Sequence, residues 1–231
     1  MMSEVNALLA SLSAPDAAAL KPYLRLVDCS SKQILTEAGD RISTAYFPTS
    51  CVISLVVGLA SGEMVEAAMV GRDGVLGAAA ALDGKKSLSR AIVQLPGSAF
   101  ACPVEALAAA AFQSKSLVST LVRHEQTLYA QAQQSTACMA THDVQSRFAR
   151  WLLRARDLAE SNNLPFTQEF LAEMLGVRRT SISPVAHTFQ QAGIIRYTRG
   201  NIEILDVEAL KDSACECYDA IRTNYQDLLN S

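Results

Sequence analysis

The sequence has 231 residues, of which half are hydrophobic and 19% are charged, and its formal net charge is −3. No stretch approaches the roughly 18–20 consecutive apolar residues that a membrane-spanning helix needs. The first twenty residues lack the basic segment of a secretory signal and carry Glu4. The six cysteines are scattered rather than arranged as a disulfide framework. We therefore expect a cytoplasmic protein with no membrane partner.

A leading amphipathic stretch, broken at Ser13 and Pro15, is followed by short strand-like runs separated by turn-forming residues. The predicted strands are Arg25–Cys29, Gln33–Thr36, Ala45–Phe47, Val52–Gly58, Met64–Val70, Arg90–Leu95 and Ser98–Cys102. Strands of this length and spacing predict an antiparallel β-barrel or jelly roll. Gly74, Gly77 and the alanines at Ala78–Ala81 predict a short helix between two of the strands.

Two helices are predicted next. Pro103 suits the first turn of a helix that continues over Val104–Phe112, and a longer helix is predicted from about Ser116 to Met139. The apolar stripe of the longer helix includes Leu117, Leu121, Leu128 and Ala132, and it is interrupted by His124, Gln131 and Ser135. The stripe is consistent with a parallel dimerisation helix whose polar positions set the register. It is equally consistent with a helix that packs along its own β domain.

The segment from Thr167 to Arg199 predicts a helix-turn-helix followed by a β-wing. Ala172 gives a small residue where two helices cross, and Gly176 suits a turn with positive φ. Spaced aliphatic residues then predict a second helix, and two alternating runs around Arg199-Gly200 predict a hairpin. Beyond the wing, a final helix is expected from about Asp206 through Leu229.

If this segment binds DNA, the start of its second helix must carry hydrogen-bond donors, because arginine can pair with guanine and hydroxyls can reach phosphates. The residues predicted to face DNA are Arg178, Arg179, Thr180, Ser181 and Ser183, with Thr167, Gln168 and Arg199 on the phosphates. His142–Gly200 contains eight arginines and no lysine against five acidic residues, a local charge of +3. Pro184 predicts a kink in this helix or a later start.

The fold class that we predict is α+β, with an N-terminal antiparallel β-barrel or jelly roll, a long dimerisation helix and a C-terminal winged helix-turn-helix. The expected domains are a sensory β domain over residues 1–112, the dimerisation helix over 113–140 and the DNA-binding domain over 141–231.

Three segments make the chain resemble the Crp–Fnr family of bacterial transcription regulators: Tyr46-Phe47-Pro48, the run from Val70 to Gly77, and the run from Leu175 to Ser181. The resemblance covers roughly residues 20–210. It implies a homodimer that binds double-stranded DNA at an inverted repeat, with RNA polymerase as a further partner. It also implies a β domain of the cyclic-nucleotide-binding type that sets DNA affinity through the long helix.

The sequence departs from the family pattern at the effector pocket, whose candidate residues are Gly74, Gly77, Ser89 and Arg90. Where the resemblance calls for a Gly-Glu pair that holds a ribose, this chain has Gly74-Val75, and the phosphate position reads Ser89-Arg90 in reversed order. Valine cannot accept a ribose hydrogen bond, so we expect no cyclic AMP binding. In the second helix Arg179 matches the family's guanine-reading arginine, whereas Thr180 and Pro184 replace two other base-reading residues, so the operator should differ.

No cofactor, no metal site and no enzymatic activity are predicted. Cys215 and Cys217 are expected on one helix, where residues two apart point roughly 200° from each other and cannot meet one zinc ion. The three histidines lie on separate predicted elements. The chain has neither a P-loop nor a nucleophile elbow. An alternative to DNA binding is a small-molecule sensor whose winged module docks a protein, which predicts only weak, sequence-blind DNA binding.

Overall fold

The computed structural model describes residues 5–198 and 200–230. The chain begins with two short helices, α1 (Ala7–Ala10) and α2 (Ala14–Leu20), followed by a 3₁₀ turn at Lys21–Tyr23. The predicted break between the helices is present, because the Ser13 hydroxyl accepts a hydrogen bond from the Asp16 backbone N–H and caps α2. Among the described residues, no helix has the length and apolar character needed to cross a membrane.

Seven strands and one short helix then form the β domain. They are β1 (Arg25–Cys29), β2 (Ile34–Thr36), β3 (Thr44–Pro48), β4 (Val52–Gly58), β5 (Met64–Val70), α3 (Ala78–Ala81), β6 (Arg90–Leu95) and β7 (Gly97–Pro103). The predicted strands and the inserted helix are all present. The strands form a three-stranded sheet of order β1-β7-β3 and a four-stranded sheet of order β2-β6-β4-β5, and every pairing is antiparallel. The domain is therefore a jelly-roll-like pair of sheets and not a closed barrel.

Three helices follow: α4 (Val104–Gln113), α5 (Lys115–Thr141) and α6 (Val144–Ala159). Pro103 is the last residue of β7 and the N-cap of α4, one position before the predicted first turn. The Ser114 hydroxyl caps α5 by accepting from the Leu117 N–H, and the Asp143 carboxylate caps α6 by accepting from the Ser146 N–H.

The polar residues that interrupt the α5 stripe are buried within this chain. His124 Nε2 accepts a hydrogen bond from the Val75 N–H at 3.1 Å, and Gln131 is hydrogen-bonded to the Tyr225 hydroxyl at 2.8 Å. Leu117 and Leu121 are buried in the same core as the β domain. This face of α5 therefore packs along its own chain. Leu117 and Leu121, predicted as dimer contacts, are not accessible to a second copy, whereas Leu128 and Ala132 are half-buried.

The C-terminal part contains the predicted winged helix-turn-helix and then two helices. Its elements are β8 (Asn163–Leu164), α7 (Gln168–Met174), α8 (Arg179–Gln191), β9 (Ile195–Thr198), β10 (Asn201–Ile204), α9 (Val207–Asp212) and α10 (Cys217–Leu229). Asp206 caps α9 by accepting from the Ala209 N–H. The prediction of one continuous final helix is wrong, because α9 ends at Asp212 and α10 begins only at Cys217. Cys215 therefore lies in a connection and not on a helix.

A continuous hydrophobic core joins the β domain to the C-terminal part. Val52 and Met69 of the β domain belong to the same buried cluster as Trp151 on α6 and Phe166 and Phe189 beyond it. This contact is a structural core, because each large apolar side chain that is fully buried in it stabilises the fold by about 1.5–3 kcal/mol.

Two buried polar contacts cross the same boundary. The Trp151 indole N–H donates to Glu66 Oε1 at 2.8 Å. Within the β domain, the Ser54 hydroxyl donates to the other oxygen of Glu66 at 2.5 Å. Arg154 Nη1 lies 2.7 Å from Asp73 Oδ2, and both side chains are almost fully buried. A buried ion pair of this kind offsets its own desolvation only while both partners are present.

We expect the stability of the protein to fall as pH rises from about 4.5 to about 7. Burial raises the pKa of the Glu66 carboxyl to about 7, and its hydrogen bonds with Ser54 and Trp151 oppose that shift only in part. Below the pKa of the unfolded carboxyl both states are protonated. Between the two pKa values the unfolded state has lost its proton and the folded state has kept it, so unfolding becomes easier.

The free energy of unfolding of the wild type should fall by on the order of 3 kcal/mol over this pH range, and Glu66→Gln should remove that fall. The measurement is urea unfolding at pH 5 and pH 8, followed by fluorescence of Trp151, the sole tryptophan. The matched control is Glu105→Gln at an exposed carboxylate of α4, which should keep the wild-type pH dependence. If Glu66→Gln kept the wild-type difference in stability between pH 5 and pH 8, Glu66 would not be its cause.

Candidate nucleic-acid interface

The turn between α7 and α8 has the geometry that the sequence predicts. The Thr167 hydroxyl accepts from the Phe170 N–H and caps α7. Gly176 has a φ of +60°, a value that residues with a side chain rarely adopt. The Val177 N–H donates to the Ala172 carbonyl at 2.9 Å, and Ala172 itself is buried. The small side chain of Ala172 therefore lets the turn close tightly onto α7.

One face of α8 is packed and the other is open. Ile182, Ala186 and Phe189 are buried against the shared core. The helix has no side-chain cap at Arg178, so the backbone N–H groups of its first turn keep their partial positive charge directed outward. The start of α8 is therefore suited to an anion such as a phosphate group.

The predicted DNA-facing side chains surround this helix start. Arg178, Arg179, Thr180, Ser183 and Thr167 are exposed, and Ser181 and Gln168 are half-buried. The Ser183 hydroxyl donates to Gln168 Oε1 at 2.7 Å, and the Gln168 N–H donates to the Tyr197 hydroxyl at 3.2 Å. These bonds tie α7, α8 and the wing together. Arg199 lies outside the described residues.

Pro184 is accommodated inside α8, which begins at Arg179 and continues to Gln191. The prediction of a later helix start is wrong. Proline lacks an N–H, so the Thr180 carbonyl receives no bond from the residue four positions ahead. That carbonyl belongs to the exposed first turn, where water can replace the missing donor.

The local excess of arginine is not a surface charge. Arg147, Arg150 and Arg154 are almost fully buried on α6, and Arg196 pairs with Glu203 at 2.6 Å. The count of +3 therefore overstates the positive charge that a phosphate backbone would meet. The free positive charge at the described helix start comes mainly from Arg178 and Arg179.

The helix start also borders the β domain. A cavity of about 730 Å³ lies between the β4–β5 hairpin and the helix-turn-helix. Glu63 and Val65 line one side of this cavity, and Glu173, Arg178 and Arg179 line the other. The turn between α7 and α8 also lies close to β5, since a Cβ atom added at Gly176 would come within 3.2 Å of the Val65 side chain.

Residues 146–213 match the family model described as the Crp-like helix-turn-helix domain. This part of the chain is a Crp-like helix-turn-helix domain. No curated protein matches the chain.

The whole chain has the fold of Crp–Fnr regulators, as three solved structures indicate. The chain is similar to a transcriptional regulator of the CRP family from Thermus thermophilus, with 20% identity, coverage of 81% of this chain and 96% of that one, and a TM-score of 0.68. FixK2 from Bradyrhizobium japonicum gives 14% identity, coverage of 83% and 98%, and a TM-score of 0.71. A CRP/FNR-family regulator from Thermus thermophilus gives 20% identity, coverage of 82% and 98%, and a TM-score of 0.67.

The candidate effector residues of this Crp–Fnr fold lie in different surroundings. Ser89 and Arg90 line a surface cavity of about 400 Å³, where Arg90 Nε lies 2.8 Å from Glu37 Oε2. Gly74 instead lies against His124, and Gly77 lies against Ile42. Arg90 thus already has a carboxylate partner of its own chain. The glycines lie beside helix α5 or within the core.

The structure contradicts the expectation that Cys215 and Cys217 share one helix and have no other metal-binding side chain nearby. Cys138 and His142 at the end of α5 come together with Cys215 and Cys217 before and at the start of α10. The signal in the sequence is the spacing of four between Cys138 and His142, which places both on one side of a helix end. Nothing local links that pair to the Cys-x-Cys of the tail, 77 residues further on.

Proposed function

We propose that this chain is a sequence-specific DNA-binding transcription regulator and that its role is not enzymatic. The observation that carries the proposal is the exposed first turn of α8, where Arg178, Arg179 and Thr180 surround uncapped backbone N–H groups. The Crp-like domain and the Crp–Fnr fold support it.

In this proposal α8 enters the major groove of the DNA. Arg179 pairs with a guanine, and Arg178, Thr180, Ser181 and Ser183 contact further base edges or phosphates. Thr167 and Gln168 at the start of α7 hold the phosphate backbone, together with Arg199, which follows β9 in the sequence. Because the free positive charge at the described helix start comes mainly from Arg178 and Arg179, we expect base contacts to carry a large share of the affinity.

Arg179→Ala should weaken binding to the preferred site by roughly 1–3 kcal/mol and relax the preference at one base pair in each half-site. The measurement is selection of bound duplexes from a random pool at about 150 mM salt, a concentration at which non-specific binding is weak. The wild-type chain should enrich an inverted repeat with half-sites about one helical turn apart. Arg25→Ala, which removes an exposed arginine of β1, is the matched control and should enrich the same site.

Equal loss of binding across all sequences would make Arg179 a phosphate contact. Absence of any enriched sequence for the wild-type chain would favour the alternative, in which the winged module docks a protein.

We further propose that the chain acts as a homodimer through the outer face of α5. This face carries residues at alternating spacings of three and four, as a two-stranded helical contact requires. They are Ser119, Val122, Gln126, Tyr129, Gln133, Thr136 and Ala140, all exposed. Two large hydrophobic side chains of this stripe are exposed, Tyr129 at 66% and Val122 at 41%. The seam therefore lies on the opposite side of α5 from Leu117 and Leu121.

Tyr129→Asp should weaken dimerisation at least ~10-fold, because it places a charge at the centre of the contact. Sedimentation of the wild-type and variant chains over a range of concentrations measures the effect. Tyr23→Asp, at an exposed tyrosine of the 3₁₀ turn before β1, is the control and should leave the dimer intact. A wild-type chain that remains monomeric at micromolar concentration would contradict the proposal.

Cyclic AMP should not alter the affinity for the selected DNA. Val75 is buried and cannot accept a hydrogen bond from a ribose hydroxyl, and Arg90 is paired with Glu37. Titration of labelled operator with the protein, with and without millimolar cyclic AMP, checks this. A tightening of tenfold or more in the presence of the nucleotide would contradict it.

A further inference from the structure

Four metal-binding side chains meet where the long helix ends. We name Cys138, His142, Cys215 and Cys217 the tail cluster. One ligand atom from each lies within 4.8 Å of every other. Cys138 Sγ is 3.5 Å from Cys215 Sγ, and Cys217 Sγ is 3.6 Å from His142 Nδ1. The three thiols are buried and the imidazole is half-buried.

Local structure explains how these side chains converge. Cys138 lies in the last turn of α5, and His142 is the C-cap of that helix, one turn further on. Cys215 lies in the connection after α9, and Cys217 is the first residue of α10. Since the connection is not helical, both tail thiols can turn to the same point. Gln134, one turn before Cys138, donates to Cys217 Sγ at 3.0 Å.

The distances fit a single tetrahedral metal ion. Zinc is held at about 2.3 Å by thiolate sulfur and at 2.0–2.1 Å by imidazole nitrogen. In a tetrahedron these lengths place the ligand atoms about 3.4–3.8 Å from one another. Of the six separations between the four ligand atoms, those of 3.5 Å and 3.6 Å lie in that range, and the other four are at most 4.8 Å. The Cys138 and Cys215 sulfurs are much further apart than the roughly 2.05 Å of a disulfide bond.

The surroundings of His142 select the nitrogen that would face the metal. His142 Nε2 is 3.3 Å from Glu216 Oε1, while Nδ1 faces Cys217. A proton on Nε2, directed at this carboxylate, leaves Nδ1 with a free lone pair. Carboxylate–histidine pairs of this kind orient the imidazole in zinc sites.

The charge around the tail cluster also suits a metal–thiolate centre. Zn²⁺ with three thiolates and a neutral imidazole has a net charge of −1. Two buried arginines of α6, Arg147 and Arg150, have an Nε with no hydrogen-bond partner among the described residues. Both guanidinium groups lie close enough to Cys138 for their charges to interact with its thiolate.

We propose that the tail cluster is a structural Cys3His site for one Zn²⁺ ion. On binding, the three thiols release their protons to solvent and the neutral imidazole donates its Nδ1 lone pair, so the ligand set is complete without water. The ion ties the junction of α5 and α6 to the start of α10. It thereby fixes the tail against the helix that leads into the helix-turn-helix, and this role does not depend on DNA binding.

The test is zinc binding by the full chain, reduced and loaded with Zn²⁺ alone. After desalting, elemental analysis should find about one zinc per chain in the wild type and in the control Cys102→Ala, which removes a buried thiol of the β domain. Competition with a chelator should show that Cys138→Ala and Cys217→Ala weaken zinc binding at least ~100-fold. Substitution with Co²⁺ should give the visible absorption of a tetrahedral, thiolate-rich centre in the wild type and not in these variants.

Circular dichroism of each chain separates loss of the site from loss of the fold. Glu216→Gln, at an exposed carboxylate, keeps the ligands and should weaken zinc binding ~10-fold. A folded, reduced wild-type chain that holds less than about 0.1 zinc would overturn the proposal. The proposal would also be overturned if Cys138→Ala and Cys217→Ala bound as much zinc as the wild type. A third contrary result would be a wild-type chain that forms a Cys138–Cys215 disulfide and, once this is reduced, binds no zinc.

Discussion

The contact between Trp151 and Glu66 lies at the centre of the structure, because it joins the helix that enters the DNA-binding-type domain to the β domain. The indole N–H donates to a buried carboxylate, and the rings of Phe166 and Phe170 surround the same indole. Burial of a carboxyl group in this position costs free energy that only a well-packed neighbourhood can offset. The aromatic packing and the Asp73–Arg154 pair on the same helix form that neighbourhood. A shift of α6 would break all of these contacts together.

This arrangement explains why an arginine-rich helix contributes little to the positive surface. Arg147, Arg150 and Arg154 lie inside, where they neutralise Asp73, contact the Leu175 carbonyl or lie near the thiols of the tail cluster. The charge directed at solvent is concentrated in Arg178 and Arg179 at the start of α8. The arginines that pack inside the domain are therefore different residues from those predicted to meet DNA, although composition cannot distinguish them.

The sequence was informative where structure follows from local pattern. Alternation and turn residues located the seven strands, and a small residue followed by Gly176 located the helix-turn-helix. It was less informative where distant segments meet. His124, Gln131 and Ser135 look like interruptions of an apolar stripe, yet each is buried against its own chain. The four ligands of the tail cluster come from segments more than 70 residues apart. Whether the seven strands close into a barrel or form two sheets likewise depends on which strands pair, and the strand pattern does not determine that. The roles assigned to the residues at the start of α8 remain predictions.

The continuous core has a consequence for how the protein can be divided. Val52, Val56, Met69 and Leu95 of the β domain are buried against α6 and the segments after it. A fragment that began at α6 would expose the matching apolar surface to water, and a large exposed apolar patch promotes association. The helix-turn-helix domain is therefore poorly suited to isolation or to grafting onto another β domain. A chimera that exchanges β domains would have to carry this half of the core with it.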